Sequence, residues 1–269
     1  MISRISKSFR SLTCLGVLAA LPASSAFAQE AQWGSIKGRI IWGGDKVPPP
    51  AEIMLPAENE GAGACVLANK GKLPPDETWV IDQKNKGIKN TFIWLAAADK
   101  KPLAIHPDLK EIKIKQVEID QPACHFIPHA LALREGQTLL VKNSAPFPHN
   151  FKYDGEPNIP QNSGNIALPP GAEKKINLLA QRLPITVVCS THGWMKCWIR
   201  VFDHPYYALT DENGAFEIKN APAGKFRLMI WHENGWKGGA AGRDGDPVEI
   251  QPGPIVDLGN IAFPPPPKD

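Results

Sequence analysis

Proline and glycine cut this chain into short pieces. There are 27 prolines and 23 glycines among 269 residues. Between them the apolar residues come in brief runs, many alternating with polar ones. Proline removes a backbone donor, and glycine weakens any regular element it interrupts. No window sustains the 3.6-residue period of a helix, so the pattern predicts an all-β protein of many short strands. Residues 35–42 alternate and end at Gly43-Gly44. Residues 78–82 and 91–97 are two further expected strands. Before them, residues 55–77 are rich in Gly, Pro and Glu and are expected to form a long loop containing Cys65. A second group of strands is expected at 112–117, 131–133, 138–142, 175–178, 184–189 and 197–202. Beyond residue 203, a hairpin is expected to turn at Asp211–Gly214. Strands at 225–232 and 255–263 follow, and residues 264–269 form a proline-rich tail expected to be disordered.

The first 28 residues have the make-up of an export signal: Arg4, Lys7 and Arg10, then a short apolar run, then Ala26-Phe27-Ala28 as a cleavage site. The run is short for a membrane span, and Cys14 lies inside it rather than at a lipidation position. A periplasmic or secreted protein with no membrane span is expected. The chain has 30 basic and 27 acidic residues, and the signal takes three of the basic ones. The remainder is formally neutral, which argues against a nucleic-acid partner.

Cys189, His192 and Met195 form C-x2-H-x2-M just after the expected strand 184–189, and His149-Asn150 lies upstream. Two imidazoles, a thiolate and a thioether suit a mononuclear copper that exchanges one electron. Structural zinc favours closed sets of cysteine and histidine, and a thioether serves it poorly. The competing reading pairs Cys65, Cys124, Cys189 and Cys197 in two disulfides and leaves this spacing a coincidence. With Cys189 as a ligand, one bridge remains possible. Cys65 with Cys124 is the expected pair, and Cys197 is expected as a buried small residue. His125 and His129 would make a second metal pair on a helix, but Pro128 and the β surroundings oppose one. Trp194 is either a docking aromatic or loop packing; Trp231 and His232 are expected to pack.

Residues 112–203 resemble the cupredoxins, of the amicyanin and plastocyanin type. The likeness rests on Pro128 with the run from Leu131 to Asn143, on Pro148-His149-Asn150, and on the run from Val187 to Met195. The resemblance implies a Greek-key β-sandwich and one type 1 copper. His149, Cys189, His192 and Met195 would be the metal ligands, with His192 the exposed one, and Asn150 would tie the two ligand loops. Gly193 stands where amicyanin-like loops commonly carry proline, and Cys197 is outside the pattern. The outer segments resemble a carboxypeptidase-regulatory or transthyretin-like sandwich, also similar to a small domain of rhamnogalacturonan lyases. That likeness rests on Thr210-Asp211, Gly214, Phe216, Pro222, Gly224 and Leu228, with Gly34–Ile40 similar to its first strand. The expected organisation is a signal at 1–28 and a first part of the outer sandwich at 29–105. The cupredoxin follows at 106–203, the second part of the outer sandwich at 204–264, and a tail at 265–269. The cupredoxin is thus inserted in or flanked by the second sandwich.

Three function classes follow. An exported electron carrier with a redox protein as donor and acceptor is the first. The second is an exported binding module for a polysaccharide or protein, with copper stored or structural. The third is an enzyme, which the residues oppose. A multicopper oxidase needs paired H-x-H arrays, and the seven histidines here contain none. A lyase needs a large catalytic domain for which no stretch is left.

Overall fold

The computed structural model describes residues 32–54, 62–99 and 101–266. The expected signal segment lies outside the described residues, as do residues 267–269 of the expected tail. In chain order the elements are β1 (Trp33–Trp42), α1 (Ala62–Ala68), β2 (Phe92–Ala97), α2 (Pro107–Lys110), β3 (Gln116–Ile119), β4 (Ala130–Arg134), β5 (Thr138–Lys142) and β6 (His149–Asp154). There follow β7 (Gly164–Leu168), β8 (Glu173–Asn177), β9 (Ile185–Val188), β10 (Lys196–Phe202), β11 (Tyr207–Leu209), β12 (Ala215–Pro222), β13 (Gly224–His232), β14 (Gly235–Trp236), β15 (Asp246–Ile250) and β16 (Ile255–Phe263). Among the described residues no helix is long and apolar enough to cross a membrane.

The strands form four sheets, with orders β12-β1-β16, β11-β2-β13-β14 with β15 beside β13, β4-β10-β9-β6-β7, and β3-β5-β8. Side-chain alternation stacks them in this order. Ile36 and Ile40 of β1 share a core with Ile93 and Leu95 of β2 and with Leu228 and Ile230 of β13. The opposite faces of β2 and β13 present Phe92, Trp94, Met229 and Trp231 to Ala130 and Phe202 of the third sheet. The third sheet turns Cys197, Ile199 and Val201 the other way, onto Leu139 and Val141 of β5. Phe92–Leu95 of β2 and Leu228–Trp231 of β13 are therefore buried on both faces, which is why these stretches run apolar without alternation. The outcome is all-β: one sandwich (β3–β10) beside a second that draws β1 and β2 from before it and β11–β16 from after it. β1 lies antiparallel to β12 and parallel to β16.

Three local expectations are corrected. Residues 62–68, expected in a loop, are a two-turn helix. Asn69 closes it, its N–H and its Nδ2 both donating to the Cys65 carbonyl at 3.0 and 2.9 Å. Seven residues are too few to display a helical period, and too few to hold a helix unaided. Residues 78–82 make no strand, only the isolated bridge Ile81↔Ile88. The strand expected from residue 112 starts at Gln116, where pairing with Thr138 of β5 begins.

Candidate metal centre

β6 begins at His149, β9 ends one residue before Cys189, and β10 begins one residue after Met195. Because β9 is hydrogen-bonded to both β6 and β10, these termini meet at one end of the sandwich. The connecting loop is closed by its own backbone, Cys189 N–H donating to the Met195 carbonyl at 3.2 Å and Met195 N–H to the His192 carbonyl at 2.8 Å.

This brings together three of the four expected donors. His149 Nδ1 is 3.1 Å from His192 Nδ1, and Cys189 Sγ is 3.9 and 3.7 Å from them. A point equidistant from the three lies about 2.1 Å from each, which matches nitrogen and thiolate bonds to a first-row metal of roughly 2.0–2.3 Å. All three residues are buried, as is Met195, at 1% exposure in the same core. Nδ1 of His149 faces the other donors, while its Nε2 is buried without a hydrogen-bond partner. Burial raises the Cys189 thiol, but the imidazoles of His149 and His192 and the backbone at Asn150 and His192 outweigh it and bring it down to about 5. The sulfur is thus a thiolate at neutral pH, the form that binds metals. Asn150 ties the start of β6 to the Cys189 loop: its Oδ1 accepts the Ser190 N–H at 2.7 Å and lies 3.3 Å from the sulfur. The donor set therefore fits a soft, thiolate-accepting metal.

His192 was expected to be exposed; it is 5% exposed. Its ring lies between Phe147 and Trp194, centroids 6.3 and 5.2 Å away. Cys65 and Cys124 reach within 4.8 Å of it. They form a disulfide, so they offer no ligand there, but the bridge holds α1 against this end of the sandwich. Trp194 Nε1 donates to the Cys124 carbonyl at 3.2 Å, so it packs the loop beneath the bridge. Cys197 is free and fully buried, its thiol pushed well up by burial and by the charges of Glu233 and Glu77.

His125 and His129 do not come together as a metal pair. His125 Nδ1 contacts the Ala123 carbonyl at 3.1 Å. His129 Nε2 pairs with Glu233 Oε1 at 3.0 Å. Glu233 also takes Lys196 Nζ at 3.2 Å and the Trp198 Nε1–H at 2.8 Å. Burial raises the Glu233 carboxyl, but these partners hold it at about 2. This buried knot was not foreseen. Glu233 is 104 residues from His129, so no local pattern joins them.

No protein-family model matches the chain, and no curated protein matches it at a significant level. Solved structures similar to part of it include a purple cupredoxin from Nitrosopumilus maritimus, 20% identical over 32% of this chain and 99% of that one, with a TM-score of 0.27. An oxidised amicyanin variant is 15% identical over 41% of this chain and 98% of that one, TM-score 0.29. A copper-containing nitrite reductase from Thermus scotoductus is 22% identical over 40% of this chain, TM-score 0.28, and the match spans 27% of the reductase.

Proposed function

We propose that this chain is an exported type 1 copper protein that transfers single electrons. His149, Cys189, His192 and Met195 hold one copper. The observation that carries the reading is the triangle of His149 Nδ1, Cys189 Sγ and His192 Nδ1, sized for a metal at its centre. Copper bound there supplies a one-electron couple. Cys189 provides the soft thiolate, and the two imidazoles complete a set that suits both oxidation states. Met195, last in the loop, would add a weak thioether donor. Asn150 and the two backbone bonds of the loop keep these groups in place, so little needs to move when the charge changes. The partners proposed are a redox protein as donor and another as acceptor. Export rests on the make-up of residues 1–28. The proposed domains are residues 106–203 for the copper sandwich, and 29–105 with 204–264 for an outer, transthyretin-like one. The pairing of β1 with β12 and β16 supports that division. No catalytic role is assigned.

One observation favours a second reading, copper stored or structural in an exported binding module. His192, the histidine through which a partner would reach the metal, lies behind the Cys65–Cys124 bridge. Copper titration followed by voltammetry separates the two. A carrier binds one equivalent per chain and cycles reversibly. Tight copper that does not cycle supports storage, and zinc bound as readily as copper sinks both.

A further inference from the structure

Between the second and third sheets, away from the metal loop, lies a cavity of about 1000 Å³. Its base is Arg200. On β10, Arg200 faces away from Cys197, Ile199 and Val201 and toward β2 and β13. It is 7% exposed. Its guanidinium lies 4.5 Å from the Phe202 ring and 5.3 Å from the Trp94 ring. Nη1 donates to the Val201 carbonyl, but Nε is buried without a partner. Three more arginines, Arg182, Arg227 and Arg243, line the same cavity. Among the described residues none of the four forms an ion pair, while the chain's other cations form several. Of the two acids on the wall, Glu233 is taken by His129, Lys196 and Trp198, and Asp244 is exposed at the mouth.

A buried guanidinium with no ion pair is costly, and the charges of Asp203 and Glu156 offset part of that cost. Stacking on aromatic rings offsets part of it. What remains is a cationic cleft in want of an anion. The rest of the wall is apolar. Met229 and Trp231 continue the row that begins with Arg227 on one face of β13, and Trp94 and Ala96 stand beside them on β2. The partly exposed indole of Trp236 closes one side, its ring centroid 5.5 Å from that of Trp94. A volume of this size and a mostly apolar wall with a few convergent charges are what a small-molecule site requires. A guanidinium fork matches a carboxylate, and the indoles match a flat or ring-shaped body.

We propose that this cleft binds a small organic acid, its carboxylate received by Arg200 and Arg227 and its ring by Trp236. The site is independent of the metal reading, since it uses none of the metal donors. Isothermal titration of the full chain with 4-hydroxybenzoate, glucuronate, inorganic phosphate and phenol tests it. At least one ring acid is expected to bind saturably, one per chain, and at least about tenfold more tightly than phosphate or phenol. Whichever acid binds tells an aromatic ring from a sugar ring. Arg227→Gln, and separately Arg243→Gln at the exposed mouth, are expected to weaken that acid, Arg227→Gln by about tenfold or more. The proposal is overturned if neither acid saturates by about 10 mM. It is also overturned if phosphate or phenol binds as well as the acids, or if a folded Arg227→Gln protein binds them unchanged.

Discussion

Asn150, the second residue of β6, bonds to Ser190 of the loop 40 residues further on. Its Oδ1 accepts the Ser190 N–H, and its Nδ2 donates to Ser190 Oγ at 3.1 Å and Asn165 Oδ1 at 2.6 Å. Asn150→Ala removes these exposed bonds and is expected to cost about 0.5–1.5 kcal/mol in urea unfolding. An unchanged midpoint would mean the tie contributes nothing. His232 makes a pH prediction. Its ring stacks on Trp79 at 4.2 Å, and burial pushes the imidazole down to about 4 against the pull of Glu233. The native state thus favours neutral His232. That contribution is complete above the unfolded value near 6.5 and is lost as pH falls toward 4, on the order of 3 kcal/mol. Unfolding at stepped pH should show this decline, and His232→Phe should make it shallower. At this scale the sequence was informative where chemistry is local: the spacing of Cys189, His192 and Met195 needs only one loop. The covering of His192 was not legible, because the groups over it come from Cys65, Cys124 and Phe147, far away in the chain.

Beside the donor triangle lies α1, two turns that persist because other parts hold them. Asn69 Nδ2 donates to the Ala123 carbonyl at 2.6 Å, and the Cys65–Cys124 bridge closes a loop of 59 residues. A loop of that length gives about 4 kcal/mol of stabilisation in the chain-entropy account. The double replacement Cys65→Ser/Cys124→Ser should lower stability by up to that amount, and amide exchange across residues 62–71 should rise steeply. Protection retained there in the double variant would show that α1 stands without the bridge. Strands with a clear alternation or a turn at each end, such as β1, β5 and β12, were legible. β6 was not, because His149–Asp154 mixes polar and aromatic residues. Residues 78–82 misled because Trp79 and Val80 look strand-like, yet Trp79 is used to pack against Trp42 and His232.

Across the whole molecule, the two sandwiches meet through Phe92, Trp94, Met229 and Trp231 on one side and Ala130 and Phe202 on the other. Glu233, just beyond β13, adds a polar fastening by pairing with His129, Lys196 and Trp198 of the neighbouring sandwich. Removing one member of a buried ionic group strands the others, so Glu233→Ala should cost about 3–5 kcal/mol. It should also split thermal unfolding into two transitions, one for each sandwich; a single sharp transition would show that the apolar contacts suffice to couple them. The four-sheet stack was only half visible beforehand. The all-β composition follows from Pro, Gly and alternation, but two-sided burial of β2 and β13 becomes meaningful only when the sheet lying over each face is known. The central claim concerns the donor triangle, and the visible absorption spectrum of the purified protein loaded with copper(II) tests it most directly. The account predicts an intense charge-transfer band from the Cys189 thiolate at one copper per chain, abolished in Cys189→Ser. Copper bound by the wild-type protein without such a band, or a band that survives in Cys189→Ser, would contradict it.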